Sequence, residues 1–204
     1  MMLTRERLIQ AGLALLATAA FVTMGVPSAE AQLDFGSDEM GTAQKAPVYW
    51  LDDFDQVDGA EAKLVRRDSS IKYKFKTRSL TPGDTFTFWV CGWNNPSDCA
   101  HGPGTCGEVV EDFDIVDQFC WWGGGGVIHD NGKATISGRI KVGQPIGSVF
   151  FGEFTAARAA EINLVLRSHG PVIPGRRREQ TSTFEGGCDV NLCEDLQVAI
   201  FPGE

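Results

Sequence analysis

Between Ser70 and Thr77 the chain reads SIKYKFKT, in which Ile71, Tyr73 and Phe75 alternate without a break with Lys72, Lys74 and Lys76. A period of two puts the apolar groups on one face of an extended chain and the ammonium groups on the other. The same residues wound as a helix would scatter the lysines around its circumference. The stretch therefore predicts a half-exposed antiparallel strand with one face on a core. The pattern recurs along the chain. Phe86, Phe88 and Val90 share a face, with Thr85, Thr87 and Trp89 opposite. Ala134, Ile136 and Gly138 alternate with Thr135, Ser137 and Arg139, and Ile162, Leu164 and Leu166 with Glu161, Asn163, Val165 and Arg167. Near the end, Leu196, Val198 and Ile200 alternate with Gln197, Ala199 and Phe201. APVYWLDDFD (from Ala46) reads as a first strand and SVFFGEF (from Ser148) as another, while TAARAAEI (from Thr155) alone has helical propensity, for a turn or two. Short strands with almost no helix predict an all-β antiparallel β-sandwich, or a partly closed barrel.

The turns carry their own signals. Pro82-Gly83 reverses the chain into the aromatic run, and this Leu80-x-Pro82-Gly83 turn resembles the corner of fibronectin-type sandwiches. Phe86 stands where those domains carry a tyrosine, so the hydroxyl bond of that corner cannot form. Asn131-Gly132 predicts a hairpin with a type I′ turn. The stretch from Gly92 to Phe113 is a long loop dense in Gly, Pro, Asn and Cys, of the kind that is functional or stapled by disulfides.

The N-terminus predicts a secretory signal peptide over residues 1–31. Arg5 and Arg7 precede a short apolar run, and Ala29-Glu30-Ala31 offers a cleavage site after Ala31. The run is too short to span a bilayer comfortably. Residues 32–45 then form a flexible polar lead-in, and residues 46–204 one β-sandwich domain large enough to enclose a core. The chain carries a net charge of -9, which cleavage leaves unchanged because the leader is itself neutral. An acidic surface argues against nucleic acid as a partner. The basic cluster Arg176 to Arg178 reads as a solvated loop. The expected location is periplasmic or secreted, with no membrane insertion after cleavage.

Six cysteines in an exported chain point to disulfides. Cys99 with Cys106 and Cys188 with Cys193 would close local loops, leaving Cys91 with Cys120 to close a longer one, although spacing alone does not choose among the pairings. Zinc at these thiols would want C-x2-C spacing, which is absent.

Catalytic constellations are missing from the sequence. There is no G-x-S-x-G elbow. Ser168 and His169 are strand neighbours that point to opposite faces and cannot pair as nucleophile and base. Asp53 and Asp55 share a face, but nothing places a second carboxylate across a cleft. His101, His129 and His169 are the three imidazoles and the candidate metal ligands, though none of them sits at ligand spacing from another. A blue-copper centre would need a methionine near the C-terminus, and all four lie at or before Met40. Trp121 and Trp122 precede Gly123 to Gly126 and read either as an aromatic platform for a glycan or as a packing site in which one Trp covers a disulfide.

Four segments taken together carry a resemblance: LTPGDTFTFWVCGWNNPSDC, EINLVLRSHGPVIPG, QTSTFEGGC and LCEDLQVAIF. They resemble an uncharacterised family of secreted bacterial β-sandwich proteins with the pattern L-x-P-G-x-x-[YF]-T-x-W, N-N-P-x-x-C, R-x-H-G-P and G-G-C. More loosely they are similar to chordin-type repeat domains, whose strand-ending His-Gly-Pro segments build a sandwich. The resemblance spans roughly Leu64 to Pro202 and implies the fold and export; it implies no activity. Arg176 to Arg178 and VCGW depart from it.

His169 then has two readings. It ends a strand and hydrogen-bonds a loop near Glu179 or Gln180, or Arg167, His169 and Glu179 form a polar cluster for an anion or metal, with Arg167 as donor and Glu179 orienting the imidazole. The expected function is a secreted, non-catalytic binding or surface-interaction module for an unknown protein or glycan ligand, without a cofactor. The alternative is a metal-binding periplasmic protein or metal-dependent enzyme using the scattered histidines.

Overall fold

The computed structural model describes residues 41–204 apart from 109–111, 113–116, 145–147 and 151. The expected leader, residues 1–31, and residues 32–40 lie outside the described residues. Two antiparallel sheets pack face to face and stay open, so the sandwich is the architecture and the barrel is not. The first sheet has strand order β1-β3-β4-β7, from β1 (Thr42–Ala46), β3 (Glu61–Arg67), β4 (Ser70–Thr77) and β7 (Ala134–Lys141). The second has order β2-β10-β9-β5-β6-β8, from β2 (Tyr49–Trp50), β10 (Glu194–Phe201), β9 (Glu161–Pro171), β5 (Asp84–Trp93), β6 (Gln118–Val127) and β8 (Ser148–Phe150).

The alternating faces hold. Ile71, Tyr73 and Phe75 enter the core and Lys72, Lys74 and Lys76 face solvent. Phe86, Phe88 and Val90 meet them from β5, and Ile162, Leu164 and Leu166 from β9. The cysteines join as Cys91–Cys120, Cys99–Cys106 and Cys188–Cys193.

Four expectations are corrected. Residues 42–45 are not lead-in but the start of β1, held by pairing with β3 from Thr42↔Arg66 to Ala46↔Ala62. The first-strand reading shrinks to the two residues of β2, because the chain turns at once from Trp50 to Asp55. TAARAAEI makes only a turn, closed by Ala160 N–H on Ala156 O at 2.8 Å; among the described residues the helical segments are a 3-10 turn at Pro96–Asp98 and an α-helix, α1 (Arg177–Gln180), inside the arginine run read as a loop. Finally, Asn131-Gly132 does make a tight reversal, with Gly132 N–H on His129 O at 2.9 Å, but it does not join a hairpin. β6 stays between β5 and β8 while β7 crosses to pair with β4 in the other sheet.

One buried cation ties the layers. Ala62, Leu64 and Arg66 share the inward face of β3, and Arg66 is 0% exposed. Its Nε donates to Gln44 Oε1 (2.8 Å), Nη1 to Ala157 O (3.0 Å) and Ala160 O (2.8 Å), and Nη2 to Phe201 O (3.1 Å) and Pro202 O (3.0 Å). All five guanidinium N–H groups thus have an acceptor. Burial lowers its pKa to about 10, so it stays charged at neutral pH.

Candidate functional site

The outer face of the six-stranded sheet is the place where chemistry-bearing side chains converge. Trp89, Cys91 and Trp93 of β5, Asn163 and Val165 of β9, and Val198 and Ile200 of β10 form a floor, each on the face opposite the core. A β-bulge between Asp195 and Gln197 adds Asp195 to the same side. Leu51 and Phe54 rise from the β2–β3 connection, Cys106, Gly107 and Glu108 from the disulfide loop, and Phe184 from the segment after α1. Together they enclose a groove of about 660 Å³, within the range of small-molecule sites.

One end of the groove is closed by a disulfide loop and the other by an aromatic contact. At one end the Cys99–Cys106 bridge packs with Trp93 as a small cluster of its own. Two buried carboxylates hold that loop by its backbone. Glu161 accepts the N–H of Gly104 and of Cys106 (3.1 Å), and Asp112 accepts those of Ala100 and Gly107 (both 2.8 Å). Burial raises the Glu161 pKa against the pull of those two bonds. At the other end, Phe184 meets Trp89 edge-on at 5.5 Å between ring centroids.

Trp89 belongs to a polar relay running beneath that end. His169 is 0% exposed, and its Nδ1 lies 2.8 Å from Gly186 O. A carbonyl only accepts, so Nδ1 carries the proton and Nε2 accepts from Thr87 Oγ1 at 2.8 Å. Thr87 Oγ1 in turn accepts the indole N–H of Trp89 at 2.8 Å. Burial lowers the His169 pKa, and the neighbouring Arg167 charge adds to this while the Gly186 bond opposes it. The imidazole is neutral, with both nitrogens committed.

The Arg167–His169–Glu179 cluster is therefore not formed. Glu179 pairs with Arg176 instead (2.8 and 2.9 Å), and Arg176 also reaches Asp189. Arg167 pairs with Asp195 (3.0 Å), donates to Phe184 O (3.1 Å) and lies 4.0 Å over the Phe184 ring. The loop partner of His169 is Gly186, while Gln180 bonds its backbone carbonyl at 3.2 Å. The three histidines do not meet either. His101 is exposed and faces Glu108 at 3.7 Å, and His129 is exposed on the turn before β7. Among the described residues, the group with ligand atoms within 4.8 Å of one another is His169, Cys188 and Cys193. Its two sulfurs are bonded to each other and its Nδ1 is a donor, so the oxidised protein presents no metal-binding set there.

Trp121 and Trp122 do not form one platform, because neighbours on a strand face opposite ways. Trp121 packs on the core, whereas Trp122 is 41% exposed on the other face, opposite Trp89. The Trp that covers a disulfide is Trp93. The glycines serve close packing. A methyl at Gly125 would overlap Thr181 O and Phe86 O, and one at Gly123 would meet Phe88 and the Tyr73 hydroxyl.

Sequence reasoning missed Trp89, Trp93, Phe54 and Phe184 as a group. The alternation placed Trp89 on the face away from the core, and Trp93 follows on the same face four residues later; that outward aromatic pair was the available signal. Comparison with family models, curated proteins and solved structures finds no match to this chain.

Proposed function

We propose that this protein is an exported, non-catalytic binding module whose ligand seats in the groove on the outer face of the six-stranded sheet. The observation that carries the reading is the concentration of Trp89, Trp93, Phe54 and Phe184 around one concavity beside the disulfide-stapled loop of Cys99 and Cys106. The outer face of a sandwich sheet is ordinarily polar, and a recessed aromatic patch of this size marks a binding site. Export rests on the N-terminal pattern ending at Ala31 and on three disulfides, which belong to oxidising compartments. No described helix is long and apolar enough to cross a membrane.

The test uses the neutral dye N-phenyl-1-naphthylamine, whose emission rises in apolar sites. The wild-type protein is expected to bind it with one site per chain, the dye emission rising as the emission of the nearby indoles falls by energy transfer. Val165→Arg, in the half-exposed floor, is expected to abolish binding while circular dichroism stays unchanged. Absence of binding by the wild-type protein, or equal binding by V165R, would overturn the groove as the site.

A further inference from the structure

Resting on that reading of the groove, we infer that its ligand is an organic cation: a small protonated amine carried on an aromatic or branched hydrocarbon body. Three independent features of the lining converge on this class. The first is the aromatic wall. Phe54 is half exposed at the groove, and Phe184 with the more deeply buried Trp89 and Trp93 completes an aromatic lining; a ring face left open attracts a cation, and the rings tolerate an apolar body equally well.

The second is charge. The ionisable side chains lining the groove are Glu108 and Asp195, both acidic. Asp195 is already balanced by Arg167 at 3.0 Å, and that guanidinium is itself stacked on Phe184. Among the described residues Glu108 faces the His101 imidazole, at 3.7 Å, and both are largely exposed. Behind it stand the buried carboxylates of Glu161 and Asp112, which raise the negative potential at the cysteine-loop end. An anionic ligand would meet these groups with no lining cation to receive it.

The third is an unpaired acceptor. Asn163 is 7% exposed in the groove floor, and its Nδ2 donates to Cys106 O at 3.1 Å. Its Oδ1 is buried without a hydrogen-bond partner. Turning the amide over would set two oxygens against each other at Cys106, so the acceptor is the free end. A buried acceptor left unpaired is costly, and an N–H donor from a ligand would satisfy it. A neutral hydrocarbon leaves Oδ1 unpaired, whereas a protonated amine matches the acceptor, the Glu108 charge and the rings together.

The experiment titrates the protein, disulfides intact, with three ligands of similar shape: 2-phenylethylammonium, 2-phenylethanol and 3-phenylpropionate. Binding is read by calorimetry and by displacement of N-phenyl-1-naphthylamine. The amine is expected to bind about tenfold more tightly than the alcohol, the sum of modest ring and carboxylate contributions, with the carboxylate weakest. Glu108→Gln is expected to remove most of that preference, drawing the amine's affinity towards the alcohol's, and added salt should narrow the gap in the wild-type protein. Equal affinity for amine and alcohol, or a preference for the carboxylate, overturns the cation inference and leaves the apolar site standing. Failure of the dye and of all three ligands overturns the site itself.

Discussion

Thr87 and His169 face each other across adjacent strands, hydroxyl oxygen to imidazole Nε2 at 2.8 Å, with the Trp89 indole N–H on the far side of the hydroxyl. The chain of bonds runs from Trp89 through Thr87 and His169 to Gly186 O, and protonating Nε2 takes away the acceptor of the Thr87 hydroxyl proton, which must then turn away. Because burial depresses the His169 pKa, the unfolded chain takes up this proton before the folded one does. The contribution is therefore present above the unfolded value of about 6.5 and is lost as pH falls through the folded value. Urea unfolding midpoints are expected to decline from pH about 6.5 towards about 5, before the bulk of carboxylates titrate, and His169→Gln should flatten that slope. Thr87→Val, which strands the Trp89 N–H and His169 Nε2, should cost about 2 kcal/mol at neutral pH, with Thr87→Ser close to wild type.

Gly125 is where the segment after α1 touches the sheet. Its missing side chain admits Thr181 O against the backbone of β6, beside Phe86 O. Gly125→Ala cannot be accommodated by a rotamer change, since both neighbours are main-chain atoms. It should destabilise the protein by about 2 kcal/mol and displace the segment carrying Phe184, and thus weaken dye binding at the groove as well. Gly126→Ala, where a methyl would meet only the Phe86 ring at 3.3 Å, is the control and should be far milder.

The difference between what the alternation discloses and what it hides has a physical basis. Period two fixes which residues share a face, and it sorted β4, β5 and β9 correctly because burial enforces that choice residue by residue; in β10 the bulge between Asp195 and Gln197 breaks the period, so that Leu196 packs on the core while Val198 and Ile200 face the groove. The inward Arg66, which shares a face of β3 with Ala62 and Leu64, was not read from the sequence. The identity of the neighbouring strand is not encoded locally. Asn131-Gly132 specifies a reversal, and only the free edge of β4 decides that β7 pairs there and not with β6. The groove was less legible still, since its walls come from the β2–β3 connection, the cysteine loop and the segment after α1, which meet only once the sheet has formed. His169 was correctly suspect, but its partners Thr87 and Gly186 lie 82 and 17 residues away. The cluster expected from sequence proximity gave way because Arg176 takes Glu179 within one turn of helix.

Arg66 offers a sharper test of packing than any apolar residue. Replacing it by methionine keeps the buried volume but leaves Ala157 O, Ala160 O, Phe201 O and Pro202 O without their donor. The loss should be about 3 kcal/mol or more, read as a lowered urea midpoint at unchanged m-value. Arg66→Lys keeps the charge and cannot span four carbonyls from one nitrogen, so it should recover only part of the loss. If methionine restored full stability, the guanidinium would be a passive occupant of its cavity, not the tie between β10 and the 157–160 turn.

Phe54 joins strain to the proposed site. Its φ of 58° lies in the left-handed region that a bulky side chain adopts at a cost, and its ring is 50% exposed, tilted 6.3 Å from Tyr49 and facing the groove. The tight turn that holds it there bonds Phe54 N–H to Trp50 O and Trp50 N–H to Asp55 O (3.1 and 2.9 Å), so the backbone is fixed by neighbours and not by the phenyl group. Phe54→Gly relieves the side-chain penalty and should raise stability by about 1 kcal/mol. The same change removes an aromatic wall, so affinity for N-phenyl-1-naphthylamine should fall about fivefold, equivalent to about 1 kcal/mol of lost contact. A gain in stability paired with a loss in affinity assigns the strain to ligand binding. A variant that gains stability and binds as before would make Phe54 an ornament of the turn, and would confine the site to the floor formed by Trp89, Trp93 and Val165.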